Sequence, residues 1–486
     1  MAPSSRHHTA HVVIVGGGIT GLSAGYALQT AARQTGTTLD FTILEASEFA
    51  GGKIHTDIVG GPDGFLLEGG PDSLLTQKTA ALALVHALGL GDAILPINRP
   101  PQATYVLIDG KPEPLPAGTV LGIPTQIWPF VRSRVLSPWG KMRTLLDLVL
   151  PARAPSGDES LGAVIRRRLG AEALDRLAEP LMAGIYNSRA DEQSLLATFP
   201  RLRDYEQRGG SLIRGSNAAR QSTGASGRQP PPPFVTLRGG MATLIDALVA
   251  TLGDHLRTRT AVHAIDYLPY ASQPYRVHLA DGETLLADAV LLATPAYTSG
   301  DLIAAFAPTL SSDLRAIRYV STGTVSLAYD RSEVGDLLAG FGVIIPASER
   351  RRINALTITS SKFAHRAPAD KVLLRAFIGG ARQSDLIECS DREILHTVGE
   401  EVSAILGIHA APRFSRIWRM RRSSPQYDVG HGERVTRIMA QCPPGLLLAG
   451  NAYRGVGIPD CITSANDAVA HILQDISTWS LDTADR

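Results

Sequence analysis

Residues 12 to 21 read Val-Val-Ile-Val-Gly-Gly-Gly-Ile-Thr-Gly. Four consecutive β-branched residues run into Gly16, Gly18 and Gly21 at the spacing G-x-G-x-x-G, the pattern of a buried strand that turns tightly into a helix. Glycine lets the backbone of such a turn approach a pyrophosphate, whose charge then faces free N–H groups and the positive end of the helix. Gly17, Thr20 and Leu22 complete the loop and the first helical turn. Phe41–Leu44 reads as a second strand and ends in Glu45-Ala46, 24 residues after Gly21. A carboxylate there accepts hydrogen bonds from two ribose hydroxyls and disfavours a 2′-phosphate, so FAD and NAD remain and NADP does not fit.

The continuation favours FAD. Gly51-Gly52-Lys53 lies just past Glu45, and Glu68-Gly69-Gly70-Pro71-Asp72-Ser73 follows. An extended FAD needs accompanying backbone along its diphosphate and ribityl length, whereas NAD has no use for a second glycine pair so soon. Ala289–Pro295 is an apolar strand with a small-residue turn. Leu446–Gly450 is another, leading through Gly455-Val456-Gly457-Ile458-Pro459-Asp460 into a helix-like run. Pieces from the start, middle and end of the chain are thus expected around one cofactor. A discontinuous cofactor domain follows, made of 1–80, 234–300 and 411–486. The remainder divides into a helical subdomain over 81–207, a flexible insertion over 208–233 rich in Gly, Ser, Gln and Pro, and a substrate-binding domain over 301–410.

At 486 residues, 44% hydrophobic and 19% charged, the chain buries a sizeable core. A net charge of +1 gives no support to nucleic-acid binding. Cys389, Cys442 and Cys461 are far apart, which argues against a disulfide framework or zinc site and for a reducing cytoplasm. Cys461 is expected as a buried packing thiol and His431 as a structural histidine; no metal-ligand spacing occurs. Met1–Ala10 reads as a loose tail, neither a signal nor an anchor. Val120–Pro151 mixes Trp128, Phe130 and Trp139 with cations, as at a membrane interface, but Pro124, Pro129 and Pro138 interrupt any long amphipathic helix. Membrane contact is therefore expected to be at most peripheral. The triplet Arg166-Arg167-Arg168 reads as a solvated helix face.

Several stretches together resemble the oxygen-dependent, FAD-containing protoporphyrinogen/coproporphyrinogen oxidases, most of all the Gram-positive-type coproporphyrinogen III oxidases. They are Glu68–Ser73, Leu121–Thr125, Glu179–Tyr186, Thr198–Pro200, Pro425–Tyr427 with Val429–His431, and Gly455–Ile462. The resemblance spans nearly the whole chain. It implies a mixed α/β fold: a Rossmann-like FAD domain of the amine oxidase and p-hydroxybenzoate hydroxylase type, interleaved with a substrate domain and a helical subdomain. It also implies one non-covalent FAD per chain, held by Gly16, Gly17, Gly18, Thr20, Gly21, Leu22, Glu45, Ala46, Gly52, Lys53, Gly70, Pro71, Asp72, Ser73, Val262, Trp418, Gly450, Val456, Gly457 and Ile458. No protein catalytic residue is implied, because the flavin carries the hydride step.

The implied substrate is a reduced tetrapyrrole, coproporphyrinogen III ahead of protoporphyrinogen IX, with dioxygen as acceptor. Lys78 matches a substrate-side lysine of the family and reads either as a propionate contact or as a surface residue. Tyr186 reads either as lining the ring face or as core; Arg201, Arg203, Arg351, Arg352 and Lys362 are weaker propionate candidates. An amine oxidase or desaturase of the same fold, and a flavin-binding protein without turnover, stand as alternatives. Docking to a ferrochelatase-type enzyme is not readable from the sequence.

Overall fold

The computed structural model describes residues 9–35, 39–61, 64–99, 104–154, 157–224, 232–335 and 338–484, so the expected tail lies almost wholly outside the described residues. Val12–Val15 are buried, as an apolar strand in the middle of a parallel sheet must be. Their strand, Ala10–Val15, is central in a five-stranded parallel sheet. Leu39–Leu44 and Ala289–Leu292 flank it, with Leu256–Arg257 and Leu446–Leu448 outside them. Alternate side chains leave on opposite faces. Val12 and Ile14 pack with Leu22, Leu244 and Ile462, drawn from helices Ile19–Thr35, Ala242–Leu252 and Ile458–Ala484. Val13 and Val15 pack on the other face with Ile265, Tyr275 and Val277 of an antiparallel three-stranded sheet. Helices and sheet thus converge on the strand ends next to Gly16.

A second sheet has seven strands in the order Phe414–Pro425, Tyr319–Asp330, Lys371–Gly379, Ala355–Ile358, Gly342–Ile344, Tyr105–Ile108 and Lys111–Pro114. Helix Asp391–Leu406 covers it through Ile394, Val398 and Val402, and starts with a capping box formed by Ser390 and Glu393. This sheet corrects the expected boundaries. Tyr105–Pro114 was placed in the helical subdomain and Phe414–Pro425 in the cofactor domain, yet both complete the sheet. Val343 pairs in register with Tyr105, and Thr324 with Trp418. Backbone pairing between segments so far apart in the chain leaves no local mark in sequence.

Two further expectations fall together in the helical region. Arg168 is fully buried, not part of a solvated face. Its Nε donates to Asp147 at 2.5 Å, and its Nη atoms donate to the carbonyls of Asp147, Leu150, Pro151 and Gly210. Asp147 also accepts from Ser211 Oγ at 2.6 Å and Ile213 N at 2.9 Å. The stretch read as a flexible insertion is therefore an ordered helix over Leu212–Gly224, with Leu212 and Ile213 buried; 225–231 lie outside the described residues. A polar composition suggested solvent, but buried carbonyls and the buried carboxylates of Asp147 and, at 3.7 Å, Glu206 supply the partners.

Val120–Pro151 folds as short helices, Ile127–Arg132 and Pro138–Leu145 among them, the second capped by Ser137. They expose Trp128 (72%) and Trp139 (77%), with Met142, Leu146 and Val149 nearby. Among the described residues no helix is long and apolar enough to cross a membrane.

Candidate functional site

Gly16 ends the central strand with φ +109, and its N–H donates to Leu44 O at 2.8 Å. A Cβ on Gly21 would sit 1.9 Å from Gly16 O, so only glycine lets the helix start this close to the strand. Gly17 N donates to Glu45 Oε2 at 2.7 Å, and Glu45 Oε1 accepts from Ser47 N and Oγ. Gly18 differs from these neighbours. A Cβ built on it meets nothing within 4 Å. The loop thus encloses open space at the helix N-terminus, bordered by backbone and by a fixed carboxylate, and that space fits a dinucleotide diphosphate.

The second glycine pair closes on the first. Gly51 N donates to Gly17 O at 2.8 Å, Gly18 and Gly51 form an isolated bridge, and Gly52 lies 3.3 Å from the Gly18 Cα when given a Cβ. Gly450, at φ +125, faces Thr20 and donates from its N–H to Ser464 Oγ at 3.0 Å. Gly457 N donates to Asp460 Oδ2. The Trp418 indole is packed onto Gly69, where a Cβ would strike it at 2.7 Å, and Gly70 lies against the Lys53 carbonyl. The structure therefore brings together Gly16–Leu22, Glu45, Gly52, Lys53, Gly70, Trp418, Gly450 and Gly457. Ala46 is exposed beside Glu45. Val262 is two residues beyond Thr260, whose N–H donates to Glu45 O.

Side chains the sequence did not single out hold this frame. Arg375 is buried and donates to the carbonyls of Gly69 and Gly70. Burial alone would raise the Asp72 pKa. Lys362, at 2.7 Å, and Arg375 override it and hold that carboxyl well below the usual range. Lys362, a propionate candidate by sequence, is thus engaged with Asp72, as Arg203 is with Glu159 at 2.7 Å. Lys53 donates to Ser423 O, and burial lowers its pKa against the opposing influence of Cys461. Cys461 is buried, with its thiol pushed up to about 11 by desolvation, which suits packing and not redox exchange.

The substrate candidates lie to one side. Lys78 Nζ contacts both oxygens of Asp460 at 2.6 and 2.7 Å and is half exposed. Tyr186 is buried in an aromatic cluster, 6.0 Å from Phe199 and 5.4 Å from Tyr427, whose ring stacks on His431 at 4.0 Å. His431 Nε2 contacts Tyr453 O at 3.1 Å, and burial lowers its pKa to about 4, so it is a neutral structural histidine that donates from Nε2. No group of three metal-ligating side chains occurs among the described residues.

Residues 19–473 match the family of flavin containing amine oxidoreductases, and the chain belongs to that family. A flavin is its cofactor and oxidoreduction its chemistry. Within the family its relatives are more particular. It is 36% identical over 95% of its length to coproporphyrinogen III oxidase of Bacillus subtilis (strain 168), covering 98% of that protein. It is 38% identical over 97% of its length to coproporphyrinogen III oxidase of Propionibacterium freudenreichii subsp. freudenreichii, covering 92% of that protein. A crystal structure from Exiguobacterium sp. 255-15, provisionally named protoporphyrinogen oxidase, superposes with a TM-score of 0.84 at 33% identity, over 97% of this chain and 99% of that one.

Proposed function

We propose that this enzyme oxidises coproporphyrinogen III to coproporphyrin III, with dioxygen as acceptor and hydrogen peroxide as by-product, as a cytoplasmic enzyme of porphyrin biosynthesis. The observation that carries the reading is the open space over Gly18, where the glycine turn bridges to Gly51, in a protein whose full-length relatives are named for this reaction. Non-covalent FAD, one per chain, fits the cradle: the open side of Gly18 at the N-terminus of helix Ile19–Thr35 would face the diphosphate, and Glu45, held by Gly17 N and Ser47, would accept from the ribose hydroxyls. When bound, the flavin supplies the acceptor for a hydride from a meso carbon and returns the electrons to dioxygen.

The chain's own task is positioning. Arg375 fixes the Gly69 and Gly70 carbonyls, and Lys362 fixes Asp72, so Gly70-Pro71-Asp72-Ser73 is rigid where the ring system would lie. Tyr186, packed against Phe199 and Tyr427, would supply an aromatic wall to the ring. Lys78 offers an ammonium to a propionate in exchange for Asp460. No protein acid or base is required, since the protons leave ring nitrogens. Six electrons separate porphyrinogen from porphyrin, so three rounds consume three dioxygen molecules. Membrane contact is at most peripheral, through Trp128 and Trp139 beside Arg132 and Lys141.

The test is to add chemically reduced coproporphyrinogen III to the purified protein under air. Porphyrin fluorescence should rise with three peroxides per porphyrin; fluorescence no faster than the protein-free control would refute the activity. Protoporphyrinogen IX is the second reading, favoured by the name of the Exiguobacterium structure.

A further inference from the structure

Away from the cradle, a cleft of about 530 Å³ opens between the helical region and the far end of the seven-stranded sheet. One wall is the widened helix Leu174–Ala183 and the segment after it, contributing Glu179 and Arg189. The other is the turn after Gly342–Ile344, with Arg350, Arg351 and Arg352, together with Arg382 just past the strand Lys371–Gly379. The volume suits a small molecule.

Its charges do not cancel. Asp191 is engaged by Arg166 at 2.9 Å, Glu192 by Arg318, and Asp385 by Arg352 at 3.0 Å. Arg351 stands 3.7 Å from Glu401. The remaining guanidinium groups are Arg189, Arg350 and Arg382; Glu179 and Asp175 act on Arg382, and they already accept from Ala190 N at 3.3 Å and Ser348 N at 3.2 Å, respectively. Among the described residues the side chains of Arg189 and Arg350 make no hydrogen bond or ion pair. Arg382 spends Nη2 on Ile345 O and Asn354 Oδ1, both at 3.3 Å, while its Nη1 is buried without a partner. An unsatisfied buried donor on a cation is costly unless something else meets it. Arg350 is moreover held at φ +53, a conformation unfavourable for a side-chain-bearing residue. Its turn is pinned by Glu349, which accepts from Asp109 N and Gly110 N at 2.7 and 3.0 Å.

We infer that this cleft is a binding site for a small organic anion bearing two or more carboxylates, gripped by Arg189, Arg350 and Arg382. Guanidinium forks match carboxylates in paired, charge-assisted hydrogen bonds. The cleft also touches the proposed active region through one thin wall. Ala381 N donates to Asn187 O at 2.9 Å, which ties the residue before Arg382 to the residue after Tyr186. Two sources carry the required chemistry: the propionates of a porphyrin, which rests on the proposed activity, and a free polycarboxylate, which does not.

The probes are citrate and coproporphyrin III, titrated separately into the full-length flavin-loaded protein at low ionic strength, by calorimetry and by porphyrin fluorescence. The exposed double variant Arg189→Ala/Arg350→Ala should lose affinity on the order of a hundredfold, roughly tenfold for each charge-assisted contact. Arg276→Ala/Arg392→Ala, exposed arginines elsewhere with the same change in charge, should bind as the wild type does. If porphyrin is the occupant, the wild type takes up one more coproporphyrin III than the cleft variant, and citrate displaces it. If a free polycarboxylate is the occupant, only citrate binding depends on the cleft arginines. Equal citrate and porphyrin binding by wild type and cleft variant, or an equal loss in the control variant, would overturn the site. A protein that oxidises no porphyrinogen yet binds citrate through these arginines would refute the activity and leave the cleft standing.

Discussion

The glycine cradle and the Arg168 cluster are both built where distant segments meet, but by opposite means. Around Gly18 distant stretches of chain converge by leaving side chains out, so that backbone closes on backbone and open space remains. Around Arg168 helices converge by putting charge in. The Arg168 guanidinium and the Asp147 carboxylate, both fully buried with Glu206 3.7 Å from the guanidinium, satisfy carbonyls and N–H groups from 147 to 213. On the proposed reading the first arrangement spends its geometry on a cofactor and the second on the chain itself. Damage to the two should therefore separate: one loses the ligand and keeps the fold, the other loses the fold locally and keeps the ligand.

The largest effect should come from Gly18→Val. The backbone at Gly18 is not left-handed and the added atoms meet no protein atom, so the variant should fold, with an unchanged circular dichroism spectrum, and retain almost no flavin absorbance per chain. Full flavin occupancy would break the comparison at its cofactor end. Next, Arg168→Ala leaves Asp147 buried without its partner. It should cost about 3–5 kcal/mol, read as a lower urea midpoint, while flavin per folded chain stays the same. A midpoint near that of the wild type would show that the cluster does not hold the helices.

A smaller effect concerns pH. Burial lowers the His431 pKa to about 4 from 6.5, so the unfolded chain binds more protons between those values. The associated stability is fully present above pH 6.5 and is lost as pH falls through 4, on the order of 3 kcal/mol in all. His431→Gln keeps a donor for Tyr453 O and does not titrate, so its stability should fall less over that interval. An identical pH dependence in the variant would assign the loss to other groups. The smallest effect is at Lys78. Half exposed and already paired with Asp460, it should contribute near 1 kcal/mol to a propionate, about a threefold to tenfold rise in KM on Lys78→Ala at low salt. The rise should shrink with added salt; an unchanged KM would leave Lys78 as a partner of Asp460 alone.

The same contrast explains what was legible. The mixed α/β fold and the cradle could be read because a missing Cβ is a residue type: Gly16, Gly18, Gly21, Gly51 and Gly52 announce close backbone approach wherever they fall. Arg168 could not, since whether an arginine faces water or Asp147 depends on a carboxylate 21 residues away and on Gly210 beyond it. Arg375 was silent for the same reason, its partners Gly69 and Gly70 being some three hundred residues distant. The seven-stranded sheet was cut wrongly because its edge strands come from either side of the expected substrate domain. Lys78 was singled out by its motif as either a propionate contact or a surface residue, but its engagement with Asp460 was not.

The activity itself is tested most directly by the ratio of turnover on coproporphyrinogen III and protoporphyrinogen IX, measured on one flavin-loaded preparation under air with porphyrin fluorescence as the readout. If coproporphyrinogen III is the substrate, as proposed, it should be turned over several-fold faster, with the advantage falling as ionic strength rises. Equal or faster turnover of protoporphyrinogen IX would contradict the proposed substrate.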